Sequence, residues 1–389
     1  MAFDKQHGFA LHLSWESGVS IQGGLGVAVS QLTEALEDLC ETRLLCPDQM
    51  PCKGIYEAPS SYESLEAFHI DAERLYSQLK QGERIIGGGP YFEAVMRYTQ
   101  WVVSVCQSRP RVVHAHDWHT FIAAVWLKQK WGCPLVLHYH STQYERVGQH
   151  VSDTVSGIER WGAQRADHVI AVSELSRQHL IETIGVEGER VSILHNTIPV
   201  VHREEEVSAE RVLLYVGRLC SQKAPFMMLE IFRKVLVEFP DARLIMVGTG
   251  VEAGVLRQVV DFCQLSERVE LLGKVPYPTM SEIYKRGGIF CMPSMAEPFG
   301  IAALEAASYG MPVVLSEVCG ASEVLKSAKR VPVGDARVWA DAVCSLLEND
   351  AELRATGLRC QKEAASHTWQ DAATKLDALY REITCGRYL

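Results

Sequence analysis

Short apolar runs rich in Val, Ile and Leu alternate with longer stretches of helical period along the whole chain. The first half offers "FALHLSW", "TRLLCP", "RVVHAH", "PLVLHYH", "HVIAVS" and "RVSILHN". Between them lie amphipathic patterns such as "GVAVSQLTEALEDL" and "TFIAAVWLKQKW". The second half repeats the theme with "RVLLYVGR", "ARLIMVG", "RVELLG", "IFCMPS", "MPVVLS" and "KRVPVG". Continuous apolar strands separated by helices predict parallel sheets covered on both faces. Two such series predict an α/β protein with two doubly wound, Rossmann-like domains. The stretch "HNTIPVVHREEEVSAERV", residues 195–212, carries a proline and a three-Glu run without a clear period, and reads as an exposed connector. The expected division is therefore 1–200, 201–366 and a tail, 367–389. The tail pattern "HTWQDAATKLDALYREI" is an amphipathic helix with no strand after it, so it must pack on something already built.

Composition narrows the class. A chain of 389 residues, 47% hydrophobic and 22% charged, suits two globular domains. The net charge is −10 and both halves are negative, unlike the basic footprint of a nucleic-acid binder and a poor match for anionic lipid. The 12 cysteines form no CxxC pair, and Cys40, Cys46 and Cys52 are too widely spaced for a zinc knuckle. Cys291 and Cys344 sit in apolar runs, which reads as buried reduced thiols. The N-terminus lacks a signal-peptide layout and no apolar run reaches the roughly 18 residues that span a bilayer, so a cytoplasmic protein without a transmembrane segment is expected.

Candidate chemistry falls just after the predicted strands, where ligands of open parallel sheets bind. In "MAEPFGIAALEAASYG" the pattern predicts a helix from Phe299, with Pro298 in its first turn. The amide groups of Phe299, Gly300 and Ile301 then form an anion pocket. Glu297 stands beside it. Glu305 lies eight residues on, about 80° round and roughly 12 Å along an ideal helix. Two acceptor-only carboxylates flanking an anion pocket suit a ligand with hydroxyls at both ends and a phosphate between, such as a nucleotide sugar. For either glutamate alone the plainer reading is preferred, Glu297 favouring a helix N-terminus and Glu305 facing water; the two together point to the ligand. Arg218 and Lys223, in "YVGRLCSQKAPF", supply a fork and a point charge suited to a diphosphate. Gly23, Gly24 and Gly26, in "VSIQGGLGVAVS", form a glycine loop ahead of a helix, and a plain turn is the equal alternative. In "VVHAHDWHT", Asp117 is placed to cap the following helix.

"EPFGIAALEA" resembles the E-x(7)-E motif of glycosyltransferase family 4, retaining enzymes of GT-B fold: two Rossmann-like domains face a central cleft and a C-terminal helix crosses back onto the first. By that resemblance Glu297 contacts the donor sugar and Glu305 the ribose, and the backbone of Phe299, Gly300 and Ile301 contacts sugar and diphosphate. Arg218 and Lys223 neutralise the leaving diphosphate, although Ala224 stands where the family has Gly. The "GGLG" loop, with Gly23 and Gly24, lines the cleft, and His116 of "HAHDWH" reaches the donor sugar, as in members similar to starch and glycogen synthases. Ile21 and Gln22 stand where those members place a Lys, which argues against a polymer synthase. The backbone near Lys274 and Val275 meets the nucleobase. "HYHSTQYER" resembles a cleft segment, with His140 and Arg146 assigned to sugar or acceptor contacts.

The resemblance implies transfer of a hexose, glucose first, from UDP-glucose or ADP-glucose to a hydroxyl of a glycan or small molecule. The first domain takes the acceptor and the second the donor. With no D-x-D string and two cations in place, no metal or other cofactor is expected. The alternatives are a GT-B sugar-nucleotide epimerase, a phosphorylase, or an inactive sugar-binding partner subunit.

Overall fold

The structure is a computed structural model; it describes residues 8–16, 24–50, 90–148, 153–199 and 211–385. The chain forms two units, residues 1–196 with 369–389, and residues 197–368.

The first unit is built on β1 (Ala10–Leu13), β2 (Thr42–Leu45), β3 (Val112–His116), β4 (Leu135–Tyr139), β5 (His168–Ala171) and β6 (Val191–Ile193). All pair in parallel, in the order β2-β1-β3-β4-β5-β6. β3, β4 and β5 are buried throughout, whereas the edge strand β2 is half-exposed. That is the burial expected where helices cover both faces of a sheet. On one face Leu11, Leu13, Val113, Ala115, Leu135, Leu137 and Tyr139 join the main hydrophobic core. The opposite face carries His12, His114, His116 and His138, because side chains alternate along a strand and His12 pairs with His114, and His116 with His138, in register. The helix Trp369–Thr384 belongs to this unit and covers the histidine face through Tyr380, which bonds His12 and His114.

The second unit has β7 (Val212–Val216), β8 (Arg243–Val247), β9 (Val269–Gly273), β10 (Ile289–Met292), β11 (Val313–Ser316) and β12 (Lys329–Val331). Their order is β12-β11-β10-β7-β8-β9, again all parallel. The helices Pro225–Glu238 and Ala336–Leu347 contribute Phe232, Val235, Trp339 and Val343 to its core.

Strand order reverses between β1 and β3 in the first sheet and between β7 and β10 in the second. At such a reversal the crossover helices diverge to opposite faces and leave a crevice beyond the strand ends. No helix among the described residues is long and apolar enough to cross a membrane, and the cysteines described there are free.

Candidate functional site

The loops after β7 and β10 meet at the second unit's reversal. Arg218, just past β7, donates from Nη2 to Oε1 of Gln222 at 3.1 Å. Gln222 donates from Nε2 to the Ala296 carbonyl at 3.1 Å, and its own carbonyl accepts from the Met295 amide at 2.8 Å. Gln222 therefore ties the two loops together, a role sequence inspection missed. Lys223 Nζ lies 2.5 Å from Oε2 of Glu297, and Ser294 Oγ donates to the same oxygen at 3.1 Å. Side-chain exposures of 15% for Lys223 and 7% for Glu297 make this a shielded pair rather than two solvated surface charges.

The helix after β10 differs from the expectation. It runs Ile301–Ser308, so Glu297, Pro298 and Phe299 all precede it. The residue before a proline is driven to extended geometry. Glu297 accordingly makes a β-bridge with Cys319, and the Phe299 carbonyl accepts from the Ala321 amide at 2.6 Å. Gly300 then turns the chain at φ 102°, where a Cβ would come 3.0 Å from Cys319 Sγ and 3.1 Å from Met292 Sδ. The 80° and 12 Å relation between the glutamates thus does not apply. Gly300 and Ile301 remain at the helix start, where first-turn amides lack intrahelical acceptors.

Glu305 is half-buried on this helix and accepts from the Tyr284 hydroxyl at 2.6 Å. Burial pushes its carboxyl up, against the downward effect of hydrogen bonds from Tyr284 and Tyr277. Val275 lies just past β9, half-buried, two residues before Tyr277.

Two backbone features hold the cationic loop. A Cβ on Gly250 would sit 2.2 Å from the Leu219 carbonyl, so the glycine turn after β8 presses directly on the residue after Arg218. Ala224 adopts φ 51°, ψ 52°, a left-handed geometry that costs an L-residue about 1–2 kcal/mol. Ala224→Gly should relieve that strain, less the added freedom glycine gives the unfolded chain. The expected gain is about 0.5–1 kcal/mol, read as a higher denaturant midpoint; a lower midpoint would contradict it.

In the first unit, Gly23 lies outside the described residues. Gly24 opens the helix Gly24–Glu37 rather than sitting in a loop, and Gly26 is buried inside it. Asp117, at φ 57° after β3, makes no capping bond to the helix Trp118–Trp131. Its Oδ1 accepts instead from the His140 amide at 2.8 Å, and its Oδ2 lies 2.5 Å from Nη2 of Arg146. Arg146 also donates from Nε to Ser141 Oγ at 2.6 Å. The Arg146–Asp117 pair is 8% and 2% exposed, so it serves the loop after β4 and is poorly placed to touch an acceptor. Asp117→Ala would remove the carboxylate bonded to this buried guanidinium. We expect a loss of about 3–5 kcal/mol of stability in denaturant unfolding. A change below about 1 kcal/mol, typical of a solvated pair, would contradict that placement.

Glu159 stands behind this pair. Its Oε1 accepts from the Gln143 amide at 2.8 Å, and its buried Oε2 has no partner among the described residues. Burial pushes its carboxyl up to about 8, against the lowering influence of Arg146. A carboxyl raised on folding contributes stability that is full below the unfolded value and is lost as pH rises through the folded one. Glu159→Gln should therefore match the parent near pH 4.5 and exceed it by about 1–3 kcal/mol at pH 7–8. Parallel stability curves for the two proteins across that range would contradict this.

His116 is fully buried, and both its ring nitrogens are engaged: Nε2 with His12 Nδ1 and Nδ1 with His140 Nε2, each at 3.0 Å. It therefore has no free nitrogen to offer a sugar, contrary to the expectation from the resemblance. His140 is half-buried and keeps Nδ1 without a partner among the described residues. Two triads, His12–His114–His116 and His116–His138–His140, bring ring nitrogens within 4.8 Å, close enough in distance to hold a metal ion.

Residues 201–364 match the family described as "Glycosyl transferases group 1", and residues 23–197 match the "Glycosyl transferase 4-like domain". An uncharacterized glycosyltransferase of Methanocaldococcus jannaschii is 30% identical over 233 residues, 55% of this chain and 60% of that protein. Glycogen synthase of Mycobacterium tuberculosis is 26% identical over 399 aligned residues, covering 95% of this chain and 94% of the synthase. In structure, the sucrose-phosphate synthase of Thermosynechococcus elongatus superposes with a TM-score of 0.75 at 20% identity, over 97% of this chain and 99% of that one. Glycosyltransferase patterns thus take in both halves, and the chain belongs to the glycosyltransferases of GT-B fold.

Proposed function

We propose that the protein is a retaining hexosyltransferase that moves glucose from UDP-glucose or ADP-glucose to a hydroxyl of a glycan or small-molecule acceptor. The observation that carries this is the shielded Lys223–Glu297 pair, set with Arg218 and the Ile301 helix start around the β7/β10 reversal. In this reading the diphosphate takes Lys223 and Arg218 as counter-charges. Glu297 is thereby freed to accept from a sugar hydroxyl, and Glu305 accepts from the ribose. Negative charge grows on the diphosphate as the C1–O bond breaks, and preorganised cations and helix-start amides stabilise it where it develops. The acceptor oxygen bonds to C1 from the leaving-group side, and its proton passes to the departing phosphate oxygen. No protein nucleophile and no divalent metal enters the reaction. The glucose assignment is supported by the "GGLG" and "HAHDWH" strings and by similarity to glycogen synthase. His140, half-buried just past β4, is the first unit's candidate for a ligand contact.

The test is nucleotide release and product configuration, followed by NMR with UDP-glucose, ADP-glucose and GDP-mannose against a panel of hydroxyl acceptors, with and without EDTA. An α-configured product, formed at the same rate in EDTA, is expected. A β-configured product would overturn retention, and loss of turnover in EDTA restored by Mg²⁺ would overturn metal independence.

A further inference from the structure

Glu297 and Glu305 are held by different chemistry. Glu297 meets the Lys223 ammonium, whereas the side chains that bond Glu305 are two phenols. Tyr284 donates to its Oε2 at 2.6 Å, and the Tyr277 hydroxyl donates to the same carboxylate. Both come from one short segment. Tyr277 opens the turn Tyr277–Thr279 after β9, and Tyr284 lies in the helix Met280–Arg286 that follows it. The two differ in exposure. Tyr284 is 2% exposed, and its ring stacks on Tyr309, just past the helix Ile301–Ser308, with centroids 5.3 Å apart and planes 19° apart. Tyr277 is 42% exposed. One phenol thus holds Glu305 from within the fold and the other reaches solvent, so a ligand approaches the carboxylate on the Tyr277 side.

An ionised carboxylate offers about four lone-pair sites. Each phenol donates once, so Tyr277 and Tyr284 take two and leave two. Two acceptor sites on one carboxylate match a vicinal diol whose hydroxyls are cis on a five-membered ring. Bonds from a hydroxyl to a carboxylate are charge-assisted and stronger than neutral ones. They favour the ionised, acceptor-only form, against burial, which pushes the carboxyl up. Tyr277 also ties the segment that carries Val275 to the helix that carries Glu305.

We propose that Tyr284 and Tyr277 are positioning residues: they fix the Glu305 carboxylate so that its two remaining acceptor sites take the 2′ and 3′ hydroxyls of a ribose, which makes the site selective for ribonucleoside over 2′-deoxyribonucleoside diphosphates. This rests on the reading of Glu305 as the ribose contact. Neither tyrosine touches the reacting atoms; both act through Glu305.

The experiment is titration calorimetry on the full-length chain with UDP, ADP, their 2′-deoxy counterparts and inorganic pyrophosphate, repeated on Tyr284→Phe and Tyr277→Phe. Each substitution keeps the ring and removes only the hydroxyl. In the wild type, whichever of UDP and ADP binds should be preferred over its 2′-deoxy form about ten-fold or more, the size of a hydrogen bond to a charged group. In Tyr284→Phe that preference should fall below about three-fold, through weaker binding of the ribonucleotide, with pyrophosphate bound as before. In Tyr277→Phe, where water can replace the hydroxyl, it should fall by less. A merely structural loss would weaken every ligand together and leave the ratio where it was. No preference in the wild type, or an unchanged preference in both variants, would overturn the proposal and leave the nucleotide site standing. Binding of pyrophosphate without either nucleotide would overturn it too. Failure of pyrophosphate and both nucleotides alike would instead remove the diphosphate site, and the proposal with it. If Tyr284→Phe does not fold, Tyr277→Phe decides, since the loss of its hydroxyl spares the core.

Discussion

Lys223→Met should lower kcat for release of the nucleoside diphosphate about 10²–10³-fold, the size found when one preorganised donor is removed from a developing negative charge. The same change should destabilise the second unit. Glu297 is 7% exposed and, among the described residues, would keep only the Ser294 hydroxyl as a side-chain partner, leaving a carboxylate nearly buried without its cation. Activity and stability must therefore be separated. Lys223→Met combined with Glu297→Gln removes both charges at nearly constant shape, so the thermal midpoint should return toward the parent. Turnover should stay at least as low as in the single variant, because Lys223 and Glu297 serve different parts of the donor. Recovery of turnover along with stability would mean that the pair is only a structural ion pair.

Acidification should unfold the first unit steeply below about pH 6. His12, His114, His116, His138 and His140 are held neutral by burial, far below the ordinary value of 6.5. A group depressed on folding contributes stability that is present above its unfolded value and is lost as pH falls through that value. Each such histidine adds a slope of about 1.4 kcal/mol per pH unit once the unfolded chain protonates, and five together approach about 7. Two pH units near that slope would cost up to about 14 kcal/mol, comparable to the 5–15 kcal/mol that typically holds a domain together. The charges facing this layer do not cancel the effect: Asp117 is paired with Arg146, and Asp377 with Arg381. Every tryptophan except Trp339 lies in the first unit, so tryptophan emission reports on it directly. A midpoint between pH 5 and 6 is expected; emission unchanged down to pH 4 would show that the histidines are not held neutral.

Parts of this were legible in the sequence because they are local. Apolar strands between amphipathic helices made the two parallel sheets readable, and Arg218, Lys223, Glu297 and Glu305 fall after strands where a doubly wound sheet binds ligands. The helix starts two residues later than expected, because periodicity alone extends the pattern back through Phe299. Pro298 and the positive φ of Gly300 instead hold the segment extended against Cys319. Asp117 reads as a helix cap from its neighbours, but its carboxylate turns to Arg146, 29 residues away. The histidine face was legible only in part. The alternation of His114 with His116 and of His138 with His140 places each pair on one face of its strand. Strand register and the docking of Tyr380, 368 residues from His12, decide that those faces coincide, and neither is written in local sequence.

Thermal unfolding with UDP, ADP and GDP, run on the wild type and on Lys223→Met, tests the nucleotide-diphosphate site most directly. A ligand of the native state at 100 times its Kd adds about 2.7 kcal/mol, a readily seen shift in midpoint. One nucleotide, UDP or ADP, should raise the wild-type midpoint in this way, and the shift should collapse in Lys223→Met. No shift with any of the three, or an equal shift in both proteins, would contradict the assignment of Arg218, Lys223 and Glu305 to a nucleotide sugar.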